Sequence, residues 1–252
     1  MSRFEKVLAE EIDGLDNLPL LHTCDAYTFR NILEELTLKP TKCDVFNTEL
    51  LYTYYGLPSY RVKLNKATNN PAHYMICFIL NSKDSDNFAK VYPFDSGAFF
   101  KLNEIKEQFF HNETKIDDFE LSGSIISAKK VIKTFYDTND NYLNQSPSMT
   151  KELSQLDFEA NGYKNLINFK GSSSFDDRAS SIEILFDNEI RLDSNSVKQI
   201  IIPKCFRDDV YAMKLISKKL NIEKPLTYNT HRGNPSEFFG LLRDEYFKFL
   251  EN

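Results

Sequence analysis

Leu18-Pro-Leu-Leu-His-Thr-Cys-Asp-Ala-Tyr-Thr-Phe-Arg-Asn-Ile-Leu-Glu-Glu-Leu36 changes its hydrophobic period partway along. Leu20, Leu21 and His22 close an extended apolar segment, and Pro19 is tolerated at the start or edge of a strand. From Ala26 onward, Phe29, Ile32, Leu33 and Leu36 fall at helical spacing on one face. Thr23 or Asp25 can cap that helix, because a short side-chain oxygen there accepts from the free amides of the first turn. Pro40 forbids its continuation. The stretch therefore predicts a strand ending at His22, a sharp turn, and a helix over Ala26–Leu36.

The same reading extends along the chain. Tyr74–Leu80 is an apolar strand with both faces buried. Gly56 and Pro58 mark a turn, and Tyr60–Leu64 reads as extended. Ile182–Phe186 and Val197–Ile202 are strands, with a turn at Asp187-Asn188 and a stop at Pro203. Lys90–Phe100 reads as an aromatic loop turning at Asp95–Gly97. Helices are predicted over Leu102–Phe110, Ser124–Tyr136, Asp208–Leu220 and Pro235–Leu250. In the third of these, Val210, Met213, Leu215, Ile216 and Leu220 are expected inward. Glu5–Asp13 is a short helix or a frayed end, and Glu152–Lys170 reads either way. Asp137–Ser148 and Gly171–Ser181 are polar loops. With no repeat and no linker, the expectation is one α+β domain over residues 1–252, with room for a helical insertion at about 101–170.

Composition narrows the classes. The chain has 252 residues, 41% of them hydrophobic, with 21 Phe, 13 Tyr and no Trp. That suffices for a packed core and argues against disorder. A net charge of -6 gives no basic footprint for nucleic acid across the whole chain, although a local groove stays open. No apolar run approaches the roughly 20 residues of a membrane span. Met1–Asp16 is acidic and lacks a signal-peptide core, so a cytoplasmic protein without a membrane partner is expected. Cys24, Cys43, Cys77 and Cys205 are scattered, which suits reduced thiols rather than a zinc site. No metal is expected.

Four features bear on chemistry. His22 at a strand end can hydrogen-bond a ligand, although taken alone it is better explained as a satisfied structural histidine. Tyr52, Tyr54, Tyr55 and Tyr60 with Arg61 can stack on a heterocycle and hold a pyrophosphate, or simply pack a core. Glu183 sits inside an apolar strand, opposite in face to Ile182 and Ile184. A carboxylate there is costly unless it is paired, lies at a cleft, or reaches water from an edge strand. The polar loop before Glu183 can select a substrate or can be an ordinary connection.

In this order the features resemble the ADP-ribosyltransferase superfamily, most closely the branch with the DarT-type toxins and the RNA 2′-phosphotransferases. The resemblance is carried by Leu21-His22-Thr23 before a helix with Ile32-Leu33, by Tyr54-Tyr55-Gly-Leu-Pro-Ser-Tyr-Arg61, and by Ser181-Ile182-Glu183-Ile184-Leu185. It implies a split antiparallel β-sheet core with surrounding helices, and His22 and Glu183 at opposite ends of one NAD-binding cleft. His22 and Thr23 are then expected at the adenosine ribose, Tyr54 or Tyr55 on the nicotinamide, Arg61 at the phosphates, and Glu183 at the ribose beside nicotinamide. Glu183 and Arg61 carry the catalytic expectation. NAD is the substrate, and a nucleic acid or protein is the acceptor. Such an enzyme suits a bacterial toxin or an anti-phage defence effector, with room for an antitoxin or inhibitor protein. Two alternatives remain: an NAD glycohydrolase, and a non-catalytic binding module on the same fold.

Overall fold

The structure, a computed structural model, describes residues 1–43, 45–60, 64, 66–82, 88–101, 107–149, 151–169 and 180–251. In chain order the strands are β1 (Leu20–Asp25), β2 (Thr37–Leu38), β3 (Thr41–Cys43), β4 (Thr48–Tyr55), β5 (Met75–Leu80), β6 (Lys90–Tyr92), β7 (Glu183–Phe186), β8 (Ile190–Arg191), β9 (Val197–Pro203) and β10 (Leu226–Tyr228). The helices are α1 (Ala26–Glu35), α2 (Ser96–Lys101), α3 (Ile125–Phe135), α4 (Asn139–Leu143), α5 (Phe158–Asn168), α6 (Lys204–Arg207), α7 (Val210–Leu220) and α8 (Phe238–Leu250). The chain is mixed α+β, and its strands pair mostly antiparallel. Among the described residues, no helix is long and apolar enough to cross a membrane.

Two compact units emerge. One comprises Met1–Leu18, Pro40–Leu57 and Ser82–Asp187; the other comprises Pro19–Lys39, Pro58–Asn81 and Asn188–Asn252. The latter orders its strands β10-β9-β5-β1, with β9 and β10 parallel. Every residue of β5 is buried, as its unbroken apolar run predicts. Asp25 caps α1 by accepting from the Thr28 amide at 2.8 Å, and Leu36 ends the helix in the left-handed conformation at φ 53°. Phe29 of α1 then meets Phe78 of β5 with ring centroids 5.6 Å apart. Phe238 of α8 meets Tyr74 edge-on at 5.4 Å.

The other unit orders its strands β4-β7-β6, and β3 also pairs with β4; all these pairs are antiparallel. Its core is a cluster of rings. Phe4 stacks on Phe135 at 5.5 Å, Phe94 meets Phe119 at 5.0 Å, and Tyr163 meets Phe135 at 4.8 Å. The phenylalanine-rich composition is used here.

Several expectations change. The first strand does not end at His22: Thr23 and Cys24 continue the ladder opposite Cys77 and Ile76, and the helix waits for the cap at Asp25. Lys90–Phe100 is not a loop but β6 followed by α2. Val91 is held by both Ile184 and Leu121, and Phe94 and Phe99 are buried. Asp137–Ser148 contains α4, capped by Thr138. Glu152–Lys170, which reads either way, contains α5 over Phe158–Asn168, and Lys170 lies outside the described residues. Val210 is 83% exposed rather than inward, because the buried face of α7 is set by Ile216 and Leu220. Of the helix expected over Leu102–Phe110, positions 102–106 lie outside the described residues and 107–109 are helical. Cys24, Cys43 and Cys77 are buried, and Cys205 is exposed.

One phenol fastens the strands that matter most below. Tyr142 donates to the Tyr55 carbonyl at 2.8 Å and accepts from the Ile182 amide at 3.0 Å. It thereby joins the end of β4 to the residue preceding β7. Gly56 makes room for it: a Cβ there would lie 3.2 Å from Tyr142 Cε1 and 2.5 Å from Leu18 Cδ1, and its φ of 74° disfavours other residues. Tyr142→Phe strands the buried Ile182 amide. It should cost about 1–3 kcal/mol of stability, seen as a lower urea midpoint. An unchanged midpoint would show that the phenol bridge contributes nothing.

Candidate active site

The strand register assembles the site. Tyr54 of β4 lies opposite Glu183 of β7, and Glu183 lies opposite Tyr92 of β6. Directly opposed residues share a face, so these three side chains form one row. Tyr52 and Leu185 form the next row along that face, with Lys90 beyond Leu185. Tyr55 belongs to the other face, and its phenol oxygen accepts from the Leu18 amide at 3.1 Å. Of the two tyrosines expected to compete for one role, only Tyr54 stands beside Glu183.

Glu183 opens the strand flanked by β4 and β6, and its side chain is 0% exposed. It is not an edge residue reaching water. The start of α2 closes over it: the Ser96 amide donates to Glu183 Oε2 at 3.1 Å. Asp95, at the foot of the same helix, is 6% exposed and accepts from the Tyr54 phenol at Oδ2, 2.8 Å away. Glu183 Oε1 and Ser96 Oγ are both buried. The Ser96 hydroxyl interacts with the Glu183 carboxyl, so α2 sets both an amide and a hydroxyl against it.

Burial pushes the Glu183 carboxyl well above the usual value of 4.5, and the charge of Asp95 pushes it further. Ser96 pulls the other way, and Cys43 adds a smaller upward push.

Phenols surround the pair. Tyr52 is half-buried and donates to Cys43 Sγ at 2.6 Å. Burial, Cys43 and Glu183 hold its own proton on firmly. Tyr92 donates to Glu120 Oε2 at 3.0 Å, and Lys90 reaches the same oxygen at 2.7 Å. Phe46 stacks on Tyr92 with centroids 5.6 Å apart and planes 11° from parallel. The layer is aromatic and acidic, suited to a flat, electron-poor ring.

The remaining predicted residues fall as follows. His22 lies in the unit built around β5, mid-strand in β1, opposite Phe78 and with its ring 6.3 Å from it. Thr23 points to the other face, opposite Cys77. Arg61 and positions 171–179 of the polar loop lie outside the described residues. Asp95 and Ser96 escaped the sequence reading, which took Asp95–Gly97 as a turn. An Asp followed by Ser-Gly is also a helix-start signal. Among the described residues, no three His, Cys, Asp or Glu side chains converge as a metal site requires.

No family model matches the chain, and neither a curated protein nor a solved structure matches it.

The proton on Glu183 carries a stability signature. The folded chain keeps it where the unfolded chain has lost it, so folding takes up a proton above the usual 4.5. Stability contributed by this group is complete below that value and falls as pH rises toward the elevated one. Urea midpoints measured from about pH 5 to pH 8 should fall in the wild type. They should fall less in Glu183→Gln, whose amide has no proton to lose. Parallel profiles would mean that Glu183 ionises normally.

Proposed function

We propose that the chain is an NAD-dependent ADP-ribosyltransferase acting on a macromolecule, with Glu183 working at the ribose beside nicotinamide. One observation carries this reading. A glutamate inside an apolar strand is fully buried beside Tyr54, with the amide and hydroxyl of Ser96 set against its carboxyl. A fold does not need such a group, and removing it from water costs free energy. Its use is to meet a ligand.

The ligand chemistry fits. The glycosidic bond of NAD breaks with its electron pair leaving on the ring nitrogen, so neutral nicotinamide departs and the ribosyl carbon becomes oxocarbenium-like. A carboxylate held against that carbon stabilises the developing charge. It also accepts a hydrogen bond from a ribose hydroxyl, a contact that strengthens as charge develops. Glu183, with Ser96 beside it, is the group assigned to that hydroxyl. Tyr54, in the same row, supplies a ring edge for the nicotinamide. The acceptor, nucleic acid or protein, supplies the oxygen or nitrogen that attacks the ribosyl carbon, and loses a proton as it does so.

A second reading has its own support. Asp95 gives the site another carboxyl, and a carboxylate near a reacting sugar carbon can activate water. The chain would then be an NAD glycohydrolase.

Nicotinamide release by purified protein separates these readings. A transferase releases it slowly from NAD alone and faster with its acceptor, which gains the mass of ADP-ribose. A glycohydrolase releases it rapidly with no acceptor. Glu183→Gln should lower either rate by about 100-fold or more while the protein stays folded. Turnover unchanged in that variant would overturn the assignment.

A further inference from the structure

α5 turns a mixed face toward solvent. Phe158, Asn161 and Asn165 follow helical spacing and line an open cleft of about 740 Å³, whose other wall runs from Phe109 to Asp118. Gly162 lets the two walls meet, since a Cβ there would lie 2.6 Å from the Phe109 carbonyl oxygen. Phe109 is braced edge-on by Phe169, just past the end of α5, with ring centroids 5.2 Å apart. Phe158 is 62% exposed, although an apolar ring gains nothing from water. Glu159 also lines the cleft and is only 7% exposed. Among the described residues its one partner is Arg3, whose Nη1 lies 3.6 Å from Oε1. A charge-assisted hydrogen bond is shorter, about 2.7–2.9 Å, and the Arg3 side chain is 72% exposed. A nearly buried carboxylate is thus held by a loose guanidinium in water.

The acids lining the cleft, Glu113, Asp118 and Glu159, outnumber its one permanent cation, Arg3. A phosphate-bearing ligand is repelled there and a cation is drawn in. Asn161 spends its amide hydrogens on the Ser154 and Asp157 carbonyls at 2.8 and 3.0 Å, so it offers a ligand its carbonyl oxygen. Acceptors around an exposed ring suit a guanidinium, which donates from its edge and stacks by its face. Arg3 and Glu159 also line a neighbouring cleft of about 190 Å³ beside Leu156, which is 76% exposed. Their ion pair therefore divides two clefts, one acidic and aromatic, the other with an exposed leucine. A single side chain fills one; a peptide segment reaches both. We propose that the larger cleft binds an arginine side chain presented by a partner protein, its guanidinium taking the place of Arg3 on Glu159 and lying against Phe158. An apolar residue next to that arginine meets Leu156. Nothing in this binding depends on the NAD reading above.

NMR titration of the ¹⁵N-labelled full chain with an acetylated, amidated leucine-arginine-glycine peptide tests this. The side-chain amide signals of Gln155, Asn161 and Asn165, which all line the cleft, should shift together and saturate. The same peptide with citrulline, which keeps the shape and loses the charge, should leave them in place. Arg3→Ala removes the competitor and should tighten the peptide by about threefold. Glu159→Gln should weaken it by about tenfold. Phe158→Ala, at an exposed position whose loss the fold tolerates, should weaken it by about threefold and serves if Glu159→Gln does not fold. No shift in either the wild type or Arg3→Ala overturns the site. Equal binding of the citrulline peptide, or adenosine monophosphate shifting the same signals where the peptide does not, overturns the choice of a cation. Weaker binding in Arg3→Ala overturns the exchange on Glu159. Affinity unchanged in both Glu159→Gln and Phe158→Ala overturns the assigned contacts.

Discussion

Taking the Glu183 carboxyl out of water is the constraint around which one unit of this protein is organised. Its strand is paired on both sides, so no edge lets the side chain turn toward solvent. An ionised carboxylate in such a place costs several kcal/mol, more than one amide returns. The chain meets that cost by leaving the proton on and by setting the first turn of α2 over the carboxyl. Asp95 and Ser96 come with that turn. The position of α2 and the burial of Glu183 are thus one structural fact.

The tyrosines make the arrangement rigid. Tyr55 reaches the Leu18 amide, Tyr142 spans Tyr55 and Ile182, and Tyr163 reaches the Pro93 carbonyl at 3.2 Å. Each is a buried ring whose polar tip ends on the backbone, so it contributes apolar burial and fixes a loop or strand end at once. Pro93 precedes the α2 turn by two residues, and Ile182 precedes Glu183 by one. The struts therefore bear on the segments that carry the two carboxyls. The phenylalanines supply the core beneath, while Tyr52, Tyr54 and Tyr92 are left to surround the acid pair.

Legibility in the sequence followed the range of each interaction. The helix over Ala26–Glu35 and the strand over Met75–Leu80 were readable because periodicity and a local cap specify them. Glu183 was readable as a charge set in an apolar run, although its burial was not. That depends on both neighbours, β4 and β6, which lie far away in sequence. Choosing between Tyr54 and Tyr55 needed the register with β7, since a shift of one residue exchanges the two faces. His22 was placed at a strand end because Thr23-Cys24-Asp25 looked like a turn. The pairing partners Cys77 and Ile76 carry the strand further, and no local signal announces them. Asp95 and Ser96 were missed for the same reason: their meaning comes from Glu183, which the Ser96 amide meets across 87 residues of sequence.

On the proposed NAD chemistry, the positive charge stays constant in amount and only changes place. It sits on the pyridinium ring, passes to the ribosyl carbon as the glycosidic bond breaks and nicotinamide leaves neutral, and passes to the nucleophile as an acidic proton when that attacks. A carboxyl fixed at the start of β7, against the Ser96 amide, would then face the ring and the sugar from one position, and taking up the nucleophile's proton would return it to the neutral acid.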